Sequence, residues 1–271
     1  MKAILLAAGR GSRLAPLTDD RPKCLVEVGG APLLHWQLEA LRGSGVREVV
    51  VVRGYCRSLI QGRGLRLIDN EDWNHTNMVQ SLYCALDELS GNVLIAYTDL
   101  LYRPEVVDAA KASAASVGVV VDHDWHRLWQ QRMEDPLSDA ETMRLGPGGE
   151  ILELGQEPSS LDQIDAQYIG MIRLSAAGAE SMRRTLIDAK RADERGEYVF
   201  GSNRRFADAY MTDLLMGMIR EGLTVQSIPI HGGWTEVDSL EDQRLADRMS
   251  QGTEFQRLRN NVVDSSMRES A

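Results

Sequence analysis

Short apolar runs rich in β-branched residues recur along the chain and alternate with segments of helical periodicity. The runs occupy residues 3–7, 49–52, 65–68, 93–97, 117–121 and 225–230. Between most of them, apolar residues repeat every three or four positions. Alternating strands and helices favour a parallel sheet, because each helix returns the chain to the edge where the next strand starts. The pattern predicts an α/β fold with a Rossmann-like, mainly parallel mixed sheet and helices on both faces.

The middle and the end of the chain depart from this alternation. Residues 142–145 and 151–154 flank a Gly-Pro-Gly-Gly turn and predict an inserted β-hairpin, followed by a strand over 167–174. Helical patterns cover 176–195 and 204–221. Residues 251–271 are polar and are expected to form a loose tail or an interaction arm. We therefore expect one domain over residues 1–250 and a polar tail after it.

Charge and composition exclude several classes of protein. The net charge of −10 opposes binding to nucleic acid, and no apolar stretch is long enough to span a membrane. The three cysteines are widely spaced and form no C-x-x-C pair, which argues against a disulfide framework or a zinc site and favours a cytoplasmic location. A homo-oligomer is compatible with the sequence. If such an acidic protein binds phosphates, its positive charge must be concentrated locally.

A glycine-rich loop, L-A-A-G-R-G-S-R-L, follows the first predicted strand at residues 6–14. Its two glycines allow backbone N–H groups to approach phosphate oxygens, and its arginines add charge. A Walker A loop is excluded because no Lys-Ser or Lys-Thr pair is present. A dinucleotide-binding turn is disfavoured because Leu14 replaces the third glycine and Pro16 interrupts a helix. A surface turn without a ligand remains an alternative for the loop taken alone.

Two further motifs accompany the loop, P-K-C-L at residues 22–25 and G-A-P-L at 30–33. The combination resembles the nucleotidyltransferase superfamily, which includes sugar-phosphate nucleotidylyltransferases and cytidylyltransferases. The resemblance implies that Lys23 and Arg13 act in catalysis by stabilising negative charge on the phosphates. It also implies a set of nucleotide-binding residues from this part of the chain: Leu6, Ala7, Ala8, Gly9, Gly11, Ser12, Arg13 and Lys23.

Two aspartates follow predicted strands, where their carboxylates would meet the glycine-rich loop. Asp99 comes after the run 93–97, and Asp238 comes after the last strand and before a helix. Both positions resemble the metal ligands of the superfamily, and Mg²⁺ needs few carboxylates when phosphates and water complete its shell. Glu236 is a weaker candidate. The alternatives are a turn residue for Asp99 and a helix cap for Asp238.

Residues 76–82, T-N-M-V-Q-S-L, resemble the branch of phosphocholine and phosphonate cytidylyltransferases. This resemblance adds Thr76, Asn77 and Ser81 to the predicted nucleotide-binding residues and favours CTP as the nucleotide. The alternative for Thr76 or Asn77 is capping of a core helix, a role that is compatible with nucleotide binding.

A second segment, 122–141, resembles the acceptor segment of the same branch. An Asp could pair with an amine, tryptophans four residues apart could face an alkylammonium, and an Arg could bind a phosphonate. The alternative is that the tryptophans cover a core and the charges are solvated. The predicted acceptor-binding residues are Asp122, Asp124, Trp125, Trp129, Arg132 and Tyr168.

Together these features predict a Mg²⁺-dependent cytidylyltransferase. It would transfer CMP from CTP to a small acceptor similar to 2-aminoethylphosphonate or phosphocholine and release pyrophosphate. A sugar-1-phosphate nucleotidylyltransferase is the near alternative, and a non-catalytic nucleotide-binding regulatory domain is the distant one.

Overall fold

Thirteen strands make up the β-structure of the computed structural model, which describes the backbone of residues 1–269 and the side chains of residues 1–262. They are β1 (Lys2–Ala7), β2 (Glu27–Val28), β3 (Ala31–Pro32), β4 (Glu48–Arg53), β5 (Leu65–Asp69), β6 (Val93–Tyr97), β7 (Leu100–Tyr102), β8 (Val117–Asp122), β9 (Met143–Leu145), β10 (Ile151–Leu154), β11 (Gln167–Leu174), β12 (Val225–Ile230) and β13 (Trp234–Glu236).

Seven of these strands form the central sheet in the order β12-β8-β11-β6-β1-β4-β5. β1 pairs in parallel with β4 and β6, β4 with β5, and β12 with β8. β11 runs antiparallel to both of its neighbours, β6 and β8. The predicted mainly parallel mixed sheet is confirmed, and the short antiparallel pair β9–β10 is the predicted hairpin.

Eight α-helices accompany the strands: α1 (Leu33–Gly43), α2 (Met78–Cys84), α3 (Pro104–Ala112), α4 (Trp125–Arg132), α5 (Ala176–Glu194), α6 (Met211–Arg220), α7 (Leu240–Gln251) and α8 (Gln256–Glu269). Alternate residues of β1 face opposite cores. Leu5 belongs to a core with Trp36 of α1, whereas Ile4 belongs to a second core with Leu214 of α6. The sheet is thus covered on both faces. Within the described residues, none of the helices combines the length and apolarity needed to cross a membrane.

The predicted helix over 204–221 is shorter in the structure. It begins only at Met211, where the carboxylate of Asp213 accepts a hydrogen bond from the backbone N–H of Tyr210 at 2.9 Å. This bond satisfies an N–H group at the helix entrance and fixes where the helix begins. Residues 204–210 form a loop with one short 3₁₀ turn, Phe206–Asp208.

The segment after residue 250 also differs from the expected loose tail. It forms α8, which packs on α1, and it buries Phe255, Leu258 and Val262. Phe255 meets the ring of Trp36 edge to face, with centroids 6.4 Å apart. These three side chains give an otherwise polar segment enough apolar surface to dock. Residues 270–271 lie outside the described part of the chain, and the domain boundary at 250 stays a prediction.

Candidate active site

The glycine-rich loop leaves the carboxyl end of β1 and packs against the side chain of Lys23. Gly11 has a φ of 74°, and a Cβ at this position would lie 2.9 Å from Cβ and Cγ of Lys23. Both the left-handed backbone and the contact require glycine. The loop and the P-K-C-L motif are therefore one structural unit, in which the loop fixes the lysine stem.

Lys23 forms ion pairs with two carboxylates from distant parts of the chain. Its Nζ lies 2.7 Å from Oδ2 of Asp99, and it also contacts Oδ1 of Asp238. Burial opposes the charge of Lys23, but the two aspartates outweigh this effect and raise its pKa to about 12. The lysine is therefore charged across the physiological range of pH.

Asp99 and Asp238 are positioned by the two short strands at this edge of the sheet. Asp99 lies between β6 and β7, and its carbonyl accepts a hydrogen bond from the N–H of Val237 at 2.8 Å. Arg13 lies 2.7 Å from Oδ2 of Asp238. Burial would raise the pKa of Asp238, but Lys23 and Arg13 lower it below its usual value. Both aspartates thus converge on the loop, as predicted from their positions after strands.

The donor set fits a magnesium ion that is completed by a ligand. Asp99 and Asp238 share one ammonium group, and Oδ1 of Asp99 is buried without a hydrogen-bond partner. Mg²⁺ in phosphate-handling sites takes one or two carboxylates together with phosphate oxygens and water. In the part of the chain that the structure describes, no group of three or more His, Cys, Asp or Glu side chains could hold a metal ion. Phosphate oxygens and water would therefore have to complete the magnesium shell.

A cavity of about 290 Å³ lies over these charged groups. Trp129 and Tyr168 line it, and the indole Nε1 and the phenol OH of these residues are buried without a hydrogen-bond partner. Glu236 also faces the cavity. Its removal from water, with repulsion from Asp238 and Asp99, outweighs the attraction of Arg132 and raises the pKa of Glu236 to about 8. The cavity therefore offers donors, acceptors and charge to a polar ligand.

The residues predicted from 76–82 occupy a neighbouring groove and the helix behind it. Thr76 and Asn77 line a groove of about 490 Å³ together with Tyr210. The side chain of Asn77 accepts a hydrogen bond from Met78 N at 2.8 Å and caps α2. Ser81 is buried and accepts a hydrogen bond from Asn70 at 3.1 Å, which places its hydroxyl in the interior. Ser81 therefore has a structural role, because its buried hydroxyl does not face the groove.

The acceptor segment is divided by the structure. Asp122 is fully buried, and its carboxylate accepts hydrogen bonds from Trp234 Nε1 at 2.8 Å and from the N–H of Gly232 at 2.9 Å. Trp125 packs edge to face on Trp129 at 5.8 Å. Asp122 and Trp125 therefore belong to the interior, because the apolar face of α4 turns toward the protein.

Arg132 and Asp124, two further predicted acceptor-binding residues, also lie outside the cavity. Arg132 is buried and pairs with Asp242 of α7 at 2.8 Å and with Glu236 at 2.5 Å. These carboxylates raise its pKa above the usual arginine value despite burial. Asp124 is exposed and lies 3.3 Å from His231. Among the six predicted acceptor residues, only Trp129 and Tyr168 line the cavity.

Nine residues of the cavity wall were not among the predicted site residues: Met78, Tyr97, Asp139, Glu141, Gln167, Ile169, Gly170, Tyr210 and Thr212. Glu141 is the last residue of the predicted acceptor segment, whereas Tyr210 and Thr212 fall in the stretch predicted to be one long helix. For Glu141 the sequence signal was its place in that segment. The loop before α6 brings Tyr210 to the cavity, and no spacing rule marks it.

Comparisons with known proteins identify the family of this chain. The family model of the MobA-like NTP transferase domain matches residues 3–210. A CTP:phosphoglutamine cytidylyltransferase from Campylobacter jejuni is 34% identical over 89% of this chain and 97% of its own length. A 2-aminoethylphosphonate cytidylyltransferase from Lancefieldella rimae is 28% identical over 69% of this chain and 72% of its own length.

A solved structure gives the same result for the fold. The CTP:phosphocholine cytidylyltransferase from Streptococcus pneumoniae superposes with a TM-score of 0.68 at 23% identity, over 92% of this chain and 99% of that one. The predicted resemblance to the nucleotidyltransferase superfamily is thus confirmed. With a family model that matches most of its length and a glycine-rich loop in the expected place, the chain belongs to the family of the MobA-like NTP transferase domain.

Proposed function

We propose that the protein transfers CMP from CTP to a small phosphate or phosphonate acceptor and releases pyrophosphate. The observation that carries this proposal is the convergence of Lys23, Arg13, Asp99 and Asp238 beneath one cavity. Four charged groups from separate segments meet there, and together they would suit a polyphosphate with its metal ion. The named acceptors of the relatives are phosphoglutamine, phosphocholine and 2-aminoethylphosphonate, which supports this class of acceptor and cytosine as the base.

In the proposed reaction an acceptor oxygen attacks the α-phosphorus of CTP. A new P–O bond forms, the bond between the α-phosphorus and the bridging oxygen breaks, and pyrophosphate leaves with that electron pair. The acceptor phosphonate or phosphate is already ionised near neutral pH, so no side chain must remove a proton. Transfers of this kind depend chiefly on positioning and on neutralisation of charge.

The residues of the site supply both effects. Arg13 and Lys23 would bind the triphosphate, and the fixed ammonium of Lys23 would stabilise the charge that accumulates on the phosphates. Asp99 and Asp238 would hold Mg²⁺, which, when bound, neutralises phosphate oxygens and polarises the α-phosphorus. The backbone of Ala7, Ala8 and Gly9 would contact the nucleotide. A cytoplasmic location remains a prediction.

The test is a measurement of pyrophosphate release for four nucleoside triphosphates against phosphonates, phosphate monoesters and glucose 1-phosphate, with and without chelator. We expect turnover with CTP, dependence on Mg²⁺ and a preference for a phosphonate or phosphate monoester. A higher kcat/KM with glucose 1-phosphate would favour a sugar-1-phosphate nucleotidylyltransferase. Binding of CTP without turnover on any acceptor would favour a regulatory domain.

A further inference from the structure

A second cavity, of about 660 Å³, adjoins the cavity over Lys23. The two cavities share Glu141, Tyr210 and Thr212 as wall residues. Beyond this shared wall, the second cavity is bounded by residues 155–157, by residues 201–204 and by α6. An acceptor whose phosphate lies near Lys23 can therefore extend past Glu141 into the second cavity.

The second cavity contains charges of both signs that the protein does not pair. The carboxylates of Glu141 and Glu157 have no hydrogen-bond or ion-pair partner among the side chains of residues 1–262. Arg220 donates one hydrogen bond, from Nη1 to the carbonyl of Phe200 at 2.5 Å, and within the same residues it meets no carboxylate. A guanidinium carries five N–H donors, so most of its capacity is left for a ligand.

These charges lie on separate parts of the cavity wall. Thr212, Met216 and Arg220 are four residues apart and share one face of α6. A helix rises about 1.5 Å per residue, so the backbone of Arg220 lies about 12 Å from that of Thr212 at the shared wall. Helical side chains lean toward the amino terminus, which brings the guanidinium back toward Glu141. A carboxylate therefore lies at the wall shared with the first cavity, and a guanidinium lies farther along α6.

The aromatic side chain that lines the second cavity, Tyr210, is covered by a cation of the protein. Tyr210 is 41% exposed, but the guanidinium of Arg204 lies 4.4 Å from its ring centroid. Arg204 is itself paired with Asp213 at 3.2 Å. A trimethylammonium group is bound by open aromatic faces, and this ring is covered by a cation. A primary ammonium suits the free carboxylates better, because it donates strong hydrogen bonds.

We propose that the second cavity binds the amino-acid end of the acceptor, with its α-ammonium at Glu141 and its α-carboxylate at Arg220. The acceptor is then a phosphonate or phosphate carried on a chain of several atoms by a free α-amino acid. A hexose or a choline group would leave Arg220 and the carboxylates unpaired. This inference rests on the proposed transfer reaction and specifies the acceptor class for it.

Three phosphonates with the same four-carbon spacing between phosphorus and the functional groups test the proposal. 2-Amino-5-phosphonopentanoate carries both groups, 4-aminobutylphosphonate lacks the carboxylate, and 5-phosphonopentanoate lacks the amine. With CTP and Mg²⁺, we expect the amino acid to exceed each analogue in kcat/KM by about ten- to hundredfold, because each analogue loses one charge-assisted pair. Equal or higher kcat/KM for 4-aminobutylphosphonate overturns the carboxylate site while the transfer reaction stands.

Two variants test which side chain binds which group of the acceptor. Arg220→Gln should remove most of the advantage over 4-aminobutylphosphonate, and Glu141→Gln should remove most of the advantage over 5-phosphonopentanoate. Arg191→Gln, an exposed arginine of α5, is the matched control and should leave both ratios unchanged. A ratio of two substrates does not depend on the folded fraction, so a loss of stability cannot imitate the result. Unchanged ratios in Arg220→Gln and Glu141→Gln contradict the assignment.

Failure of the transfer reaction is distinguishable from failure of this site. If none of the acceptors yields pyrophosphate, the proposed function is wrong, and calorimetric binding of the same three compounds then decides the inference. Tighter binding of the amino acid, lost in Arg220→Gln but kept in Arg191→Gln, supports the site. Equal binding of the three compounds, or none, overturns it.

Discussion

Lys23 and Arg132 are both largely buried cations that pair with carboxylates, two for Lys23 and three for Arg132, yet they lie in different settings. The side chain of Lys23 is 14% exposed and lines the cavity, whereas that of Arg132 is 1% exposed and joins α4 to α7. The partners of Lys23 follow strands at the edge of the sheet. Asp242, the main partner of Arg132, also accepts the N–H of Ser239 at 3.0 Å and so caps α7. One cation faces the cavity and the other joins two helices.

This difference shows why a basic residue in a matching segment is a weak predictor of a binding role. Arg132 stands beside tryptophans and acids in the sequence, as a ligand-binding arginine would. Its guanidinium also stacks on Trp129, with its central carbon 4.8 Å from the ring centroid. All of its partners belong to the protein, so its charge is neutralised internally.

The largest expected effect concerns the carboxylates around Lys23. Asp99→Asn and Asp238→Asn should each lower kcat by at least about a thousandfold, because each removes a charge from the proposed metal site. Asp124→Asn, an exposed carboxylate near α4, is the matched control and should stay within about twofold. Steady-state pyrophosphate release at saturating Mg²⁺ measures all three. Near wild-type turnover in Asp99→Asn would remove that aspartate from the site.

Lys23→Met should lower kcat by about a hundred- to a thousandfold while the melting temperature, measured with Mg²⁺, changes little. The loss reflects one fixed positive charge near the phosphates, worth about 3 to 4 kcal/mol in the transition state. Melting and turnover are compared on the same preparation. A collapse in stability with unchanged turnover per folded molecule would show that Lys23, like Arg132, stabilises packing and does not act in the reaction.

Arg132→Met should show the opposite result. Removal of one partner from a buried ion pair costs about 3 to 5 kcal/mol, because the buried carboxylate of Asp242 loses its counter-charge. The melting temperature should therefore fall clearly, with turnover per folded molecule changed by only a few fold. Arg127→Met, on an exposed position of the same helix, is the control and should melt as wild type does. Full stability combined with lost turnover would contradict this assignment and support the predicted acceptor-binding role of Arg132.

The smallest expected effect is a pH dependence of stability in the metal-free protein. The raised pKa of Glu236 means that the folded protein keeps a proton that the unfolded chain, with a pKa of 4.5, releases. The contribution of this group to stability is therefore full below pH 4.5 and is lost as the pH rises toward about 8. Glu236→Gln carries no titrating proton, so its stability should fall less over the same interval. Denaturant titrations in chelator, compared between the two proteins, measure the difference, and parallel curves would contradict it.

The central strands could be predicted because continuous apolar, β-branched runs are typical of strands in a sheet that is covered on both faces. The order of the strands and the antiparallel direction of β11 depend on long-range pairing, which no local pattern encodes. The reversal matters for the site, because β11 carries Tyr168 into the cavity. The end of the chain was misjudged for a related reason. A few apolar side chains among polar ones suffice to dock α8 once α1 provides a surface.

The sequence alone determined the chemical part of the site that depends on motif and strand position. Gly11, Lys23 and the two aspartates could be named because the glycine-rich loop and the P-K-C-L motif resemble the nucleotidyltransferase superfamily. Strand position supports this for the loop after β1 and for Asp99 after β6, since the carboxyl ends of parallel strands meet at one edge of the sheet. Only the tertiary structure decided which side chains of 122–141 line the cavity. Periodicity shows that α4 has one apolar face, but the neighbours that cover this face, α7 and β13, come from more than a hundred residues away. Those neighbours satisfy Asp122 with a hydrogen bond and pair Arg132 with a carboxylate, whereas the carboxylate of Glu141 has no such partner among the side chains of residues 1–262. Burial and pairing are properties of the folded chain.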